Sequence, residues 1–205
     1  MAVGKTGEVE LEGALGAASS AAQTLLLEYV DGKPMSEVGW GRVSKEQIGE
    51  LLKFHTTKFY FETRTPHVAD RIAAPLAERV AAALRGEAGY GRLTMFVGHD
   101  TNIAALGGML DLHWKLPDYA EDDPPPGGAL GFELLSRAGK RYVRAFYQAQ
   151  TMDQLRALTP LSEANPPTLV YLQIPGCAVA DQAGCPLRTF LRIVERKLKS
   201  PTNAN

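Results

Sequence analysis

The chain has 205 residues, with 22 basic and 23 acidic side chains for a formal net charge of −1, and it is 45% hydrophobic against 22% charged. This is the balance of a globular protein with a sizeable core, and without a basic excess it fits neither a nucleic-acid nor an anionic-membrane partner. No apolar run reaches the roughly 18 residues of a membrane span, and the opening Met1-Ala2-Val3-Gly4-Lys5-Thr6-Gly7 lacks the apolar core of a signal peptide.

Residues 11–30 read as a first helix, with Leu15, Ala18, Ala22, Leu25 and Leu26 on one face and Asp31-Gly32 and Pro34 ending it. A loop follows around Val38-Gly39-Trp40-Gly41-Arg42. Ser44 then caps a second helix that runs through Ile48, Leu51, Leu52 and Phe54, with Glu46 and Gln47 near the positions of a capping box. Thr65 and Pro66 suit the N-cap and first position of a third helix. Pro75 interrupts that helix, and residues 75–84 continue it as far as Gly86.

The pattern then changes. Leu93-Thr94-Met95-Phe96-Val97 is a short apolar run of strand formers, of the kind buried on both faces of an α/β sheet. A helix over residues 102–112 turns Ile103, Leu106 and Leu110 inward. Strands over 130–135 and 142–149 form a hairpin through Ala138-Gly139-Lys140. A third strand spans 169–174, and an amphipathic helix over 187–198 closes the chain. Pro124-Pro125-Pro126-Gly127-Gly128 is a stiff loop directly before a strand. The fold class is α/β, with a helical part over residues 1–62 followed by an α/β part over residues 63–205.

Chemistry concentrates at the strand-to-helix turn Val97-Gly98-His99-Asp100-Thr101-Asn102. Ligands bind beyond the C-terminal ends of strands in open α/β sheets, and a helix N-terminus offers free N–H groups and a positive dipole end to a phosphate. Gly98 permits close approach of the backbone, and His99 can donate to an anionic oxygen. Beside a bound phosphate, repulsion between like charges favours a protonated Asp100, which can then give its proton to a departing alkoxide. The competing reading makes Asp100 the N-cap of the helix and His99 a packing residue. The four histidines, His55, His67, His99 and His113, sit in no Ser-His or Cys-His motif. A two-metal centre needs more His and Asp ligands at helical spacing than this turn supplies, so neither a metal nor a cofactor is expected. Cys177 and Cys185 are spaced for a bridge across a short loop, or they are two unrelated thiols. A bridge implies an oxidising compartment.

The run Phe96-Val97-Gly98-His99-Asp100-Thr101-Asn102-Ile103-Ala104 resembles the second signature of the histidine acid phosphatases, the large branch of the histidine phosphatase superfamily, and most closely its bacterial acid phosphatase and phytase group. Further stations match in the same order: Gly39-Trp40-Gly41-Arg42, Phe59-Tyr60 with Arg64-Thr65-Pro66, Pro124-Pro125-Pro126-Gly127-Gly128 before Phe132-Glu133, Thr159-Pro160-Leu161, and Gly176-Cys177 with Cys185. The resemblance implies metal-free hydrolysis of small phosphomonoesters. His99 holds phosphate oxygens, Asp100 is the proton donor, His55 contacts substrate, and Cys177 and Cys185 form a disulfide. It also implies the C-terminal part of an α/β sandwich, joined to the end of an inserted helical domain, from a periplasmic or secreted enzyme.

The family's nucleophile lies in an Arg-His-Gly-x-Arg-x-Pro motif, whose arginines also clamp the phosphate, and this sequence contains no Arg-His-Gly. The expectation is a catalytically incomplete chain that lacks the N-terminal half of its family and needs it for activity. The alternative is a non-catalytic phosphate-binding remnant or truncated gene product. Gln23 stands where phytase-like members tend to carry glutamate, and Ile72 where they often carry arginine, which loosens the link to phytate as substrate. By the same resemblance, the absent nucleophile strand lies beside residues 93–97, so an apolar edge prone to aggregation is expected there.

Overall fold

The computed structural model describes residues 2–3, 9–177 and 184–199. In chain order the elements are strands β1 (Ala2–Val3) and β2 (Val9–Glu10), helix α1 (Ala14–Val30), a 3-10 turn (Val38–Gly41), α2 (Lys45–Phe59) and a π-helical turn (Tyr60–Arg64). Then come α3 (Pro66–Arg85), α4 (Asp100–Leu110), β3 (Ala129–Arg137), β4 (Lys140–Ala149), α5 (Met152–Arg156), β5 (Thr168–Leu172), β6 (Cys185–Pro186) and α6 (Leu187–Leu198). They fall into two units, each with its own core. One comprises Met1–Glu62, Trp114–Ala129 and Gln148–Val170, the other Thr63–His113, Leu130–Tyr147 and Tyr171–Asn205. The first unit thus combines residues 1–62 with two later segments of the chain.

In the helical unit, β1 pairs antiparallel with β2. Gly13 adopts φ 87°, a conformation closed to other residues in a helix, so α1 begins at Ala14 and not near Leu11. Ser44 starts α2 with a reciprocal cap: its N–H donates to Gln47 Oε1 at 2.8 Å, and its hydroxyl accepts the Gln47 N–H at 3.3 Å. The two helices pack together, and Leu26, Val38, Ile48 and Leu52 are fully buried.

The later segments are fastened to this pair by a polar clasp. Lys45 Nζ reaches Asp118 at 3.1 Å and Asp153 at 2.6 Å, and the Tyr29 hydroxyl donates to Asp153 at 2.7 Å. Asp118 also accepts the Met152 N–H at 2.9 Å, at the start of α5. Hydrogen bonds from Lys45 and Tyr29 hold the Asp153 carboxyl below its ordinary range. Burial opposes the charge on Lys45, but its two carboxylate partners outweigh that and raise it. The five-residue α5 has no counterpart in the sequence reading, because one and a half turns leave no periodicity to detect.

In the second unit α3 runs unbroken through Pro75, contrary to the expected interruption. Proline at that position forgoes only one helical hydrogen bond, and burial of the opposite face compensates. That face carries Ala69, Ala73, Ala77 and Ala81, all within 3% of full burial and spaced four apart. Such a small-residue stripe lets α4 and α6 pack on α3. At the tightest point Gly108 of α4 lies against the backbone of Arg64, where a Cβ would stand 2.6 Å from both its Cα and its carbonyl oxygen. Arg64 itself is buried, and Nη2 donates to the Leu112 carbonyl at 2.8 Å.

Strands β3, β4 and β5 lie side by side in that order, and β6 also pairs with β4. The hairpin β3–β4 turns on Ala138 and Gly139, both at positive φ, as a two-residue primed turn requires. Val143, Ala145 and Tyr147 of β4 point inward with no exposure, and Phe132 meets Phe190 of α6 at 5.5 Å. Cys177 and Cys185 form a disulfide, which resolves the alternative of two separate thiols.

One expected strand does not form. Residues 93–97 take no regular structure, and no strand of the described residues pairs with them. Leu93, Met95 and Val97 are 83%, 76% and 93% exposed, while Phe96 rests edge-on against Tyr90. The apolar run of strand formers is present, but a strand also needs a neighbour for its N–H and C=O groups. The unpaired run exposes the apolar surface that the resemblance implied.

Candidate functional site

The turn preceding α4 carries His99 and Asp100 on consecutive residues, both exposed. Helix α4 begins at Asp100, and His99, extended at φ −98° and ψ 165°, occupies the N-cap position. This corrects the reading of Asp100 as the cap. The side-chain bond that ties down the turn comes instead from Asn102, whose Oδ1 accepts the His99 N–H at 2.9 Å. The Asp100 carboxylate stays at the first turn and accepts the Thr101 N–H at 2.7 Å. Gly98 is needed on steric grounds, since a Cβ there would lie 2.7 Å from Asn102 Oδ1.

The arrangement joins a proton donor or acceptor, an imidazole and a helix N-terminus on one exposed turn. The Thr101 N–H already goes to the Asp100 carboxylate and the Asn102 N–H to the His99 carbonyl at 3.0 Å, so what the turn offers an anion is the positive dipole end of α4. Among the described residues, no group of three or more His, Cys, Asp or Glu side chains is placed to hold a metal ion. No helix among them is long and apolar enough to cross a membrane.

His55 lies in the helical unit and is only 4% exposed. Its Nδ1 is 3.3 Å from the Ser19 hydroxyl, its Nε2 is 3.9 Å from the fully buried Asp123, and its ring packs on Phe59 at 4.2 Å. Neither an open substrate contact nor a solvated helix-surface residue describes that environment. Any ligand contact requires the ring to be uncovered first. Asn102 is the residue that sequence reasoning overlooked. The available signal was an amide at the third helical position, three residues after the cap, where side chains commonly bond back to the cap's N–H.

Comparison with known proteins points one way. The family model described as histidine phosphatase superfamily (branch 2) matches residues 21–148. Phytase AppA of Escherichia coli (strain K12) is 38% identical over 199 residues, covering 91% of this chain and 45% of that protein. A glucose-1-phosphatase of Salmonella typhimurium is 30% identical over 197 residues, covering 94% of this chain and 48% of its own length. Among solved structures, the phytase from Citrobacter braakii superposes with a TM-score of 0.86 at 32% identity, covering 97% of this chain and 53% of that one. The chain thus spans about half the length of the relatives it matches.

Proposed function

Since this chain belongs to the histidine phosphatase superfamily (branch 2), we propose that it supplies the proton-donating wall of a phosphomonoesterase active site of the acid phosphatase or phytase type. The observation that carries this reading is the exposed His99–Asp100 pair at the N-terminus of α4, held in place by the Asn102 side chain and the Thr101 N–H. In this reading the positive end of α4 and the His99 imidazole hold the phosphate oxygens. Asp100, beside the bound phosphate, carries the proton for the leaving group in this reading. As the bond between phosphorus and the ester oxygen breaks, the Asp100 proton moves to that oxygen, and the alcohol leaves neutral.

The attacking nucleophile is a histidine of an Arg-His-Gly-x-Arg-x-Pro segment, which this sequence does not contain. General-acid help alone contributes about 10²–10⁴-fold, against an uncatalysed phosphate-monoester hydrolysis that enzymes outpace by up to ~10²¹-fold. The chain by itself therefore turns over no ester, and the exposed run of residues 93–97 is where the nucleophile-bearing segment adds as a strand. The Cys177–Cys185 disulfide favours a periplasmic or secreted setting. His55 joins the substrate contacts only if the cover over its ring opens.

The test is hydrolysis of p-nitrophenyl phosphate at acidic pH, by the chain alone and with the upstream half of a close relative supplied as a separate polypeptide. No turnover alone and clear turnover in the mixture is the expected result. Turnover by the chain alone that survives His99→Ala would overturn the reading.

A further inference from the structure

We infer that Asn102 is the positioning residue of this site: its neutral carboxamide fixes the His99 backbone while placing no negative charge beside the bound phosphate. This rests on the phosphate-site reading above and extends it to a residue outside the His-Asp pair. Asn102 Oδ1 accepts the His99 N–H at 2.9 Å, so the residue that carries the imidazole is anchored from within the first turn of α4. The same oxygen occupies the space a Cβ on Gly98 would need, at 2.7 Å, with the Asn102 Cγ at 3.4 Å. Gly98 and Asn102 are thus one device, in which the missing side chain makes room for the amide that braces the turn.

An aspartate at position 102 could accept the same N–H, and near a helix N-terminus it would gain from the dipole. It would also set a carboxylate next to an anion-binding turn, where repulsion acts at short range. Bracing and neutrality can therefore be separated by substitution. Asn102→Ala removes both bracing and bulk, whereas Asn102→Asp keeps the brace and reverses the electrostatics.

The experiment follows the His99 backbone amide and imidazole of the 205-residue chain by NMR, with hydrogen exchange and a titration of inorganic phosphate. In the unaltered chain, phosphate shifts the His99 and Asp100 resonances. Asn102→Ala raises exchange at the His99 amide about tenfold and weakens the phosphate response. Asn102→Asp preserves amide protection and the melting temperature yet weakens phosphate binding by about tenfold. A residue that served only to cap the helix would leave that variant's phosphate response intact, and this result overturns the inference while sparing the site. Unchanged exchange and phosphate response in Asn102→Ala does the same. Absence of any phosphate shift at His99 and Asp100, both in the unaltered chain and in that chain joined by the complementing half, refutes the phosphate-site reading itself, and the role of Asn102 falls with it.

Discussion

With the nucleophile-bearing half supplied, Asp100→Asn will slow hydrolysis of alkyl phosphates by about 10²–10⁴-fold and affect p-nitrophenyl phosphate far less. An alkoxide is too basic to leave without a proton, whereas a nitrophenolate departs readily on its own. The substitution is conservative for structure, because an asparagine oxygen can still accept the Thr101 N–H that Asp100 now accepts at 2.7 Å. The cap bond, which belongs to Asn102, is untouched. The comparison requires kcat/KM for the two ester classes, measured with both proteins. Equal losses on both would remove Asp100 from the role of general acid and leave it a binding group.

The largest effect on stability is expected from Gly108→Ala. The added methyl would meet the Cα and carbonyl oxygen of Arg64 at 2.6 Å and its carbonyl carbon at 3.0 Å. These are backbone atoms and cannot swing aside as a side chain would. The cost is about 3 kcal/mol, the upper part of the usual range for overpacking. For a chain of this size that is a fall in melting temperature on the order of 10 °C. Because α4 carries Asp100 in its first turn and follows directly on His99, relief of the clash by sliding α4 would also move the site. Thermal melts of the two proteins decide the matter, and an unchanged melt would show that Gly108 of α4 does not lie against the Arg64 backbone as described.

What could be read from the sequence divides along physical lines. Helix α6 occupies the residues its periodicity marks out, because alternating apolar and charged faces need only a surface to pack on. Ser44 and Gln47 announce the start of α2 for a similarly local reason, and Ala138-Gly139 specifies its turn by the φ values that turn demands. The start of α4 beside His99 and Asp100 was legible because helix-compatible residues begin right after the glycine-led turn at Gly98. Residues 93–97 show the limit of this approach: an apolar run of strand formers marks a strand, yet pairing depends on a partner that the local pattern does not contain. His55 shows another. Its helical position is compatible with surface or interior, and the choice was made by Ser19 and Asp123, which lie far away in the chain, together with Phe59 one turn along the same helix. The role of Asn102 turns on a side-chain conformation, which no spacing reveals.

The most direct measurement is a crystal structure of the chain joined by the complementing half and soaked with tungstate, a stable mimic of phosphate. The anion is expected at the N-terminus of α4, with one oxygen about 3 Å from a His99 ring nitrogen and another facing the Asp100 carboxyl. An anion bound elsewhere in the assembly, with the His99–Asp100 turn empty, would contradict the assignment.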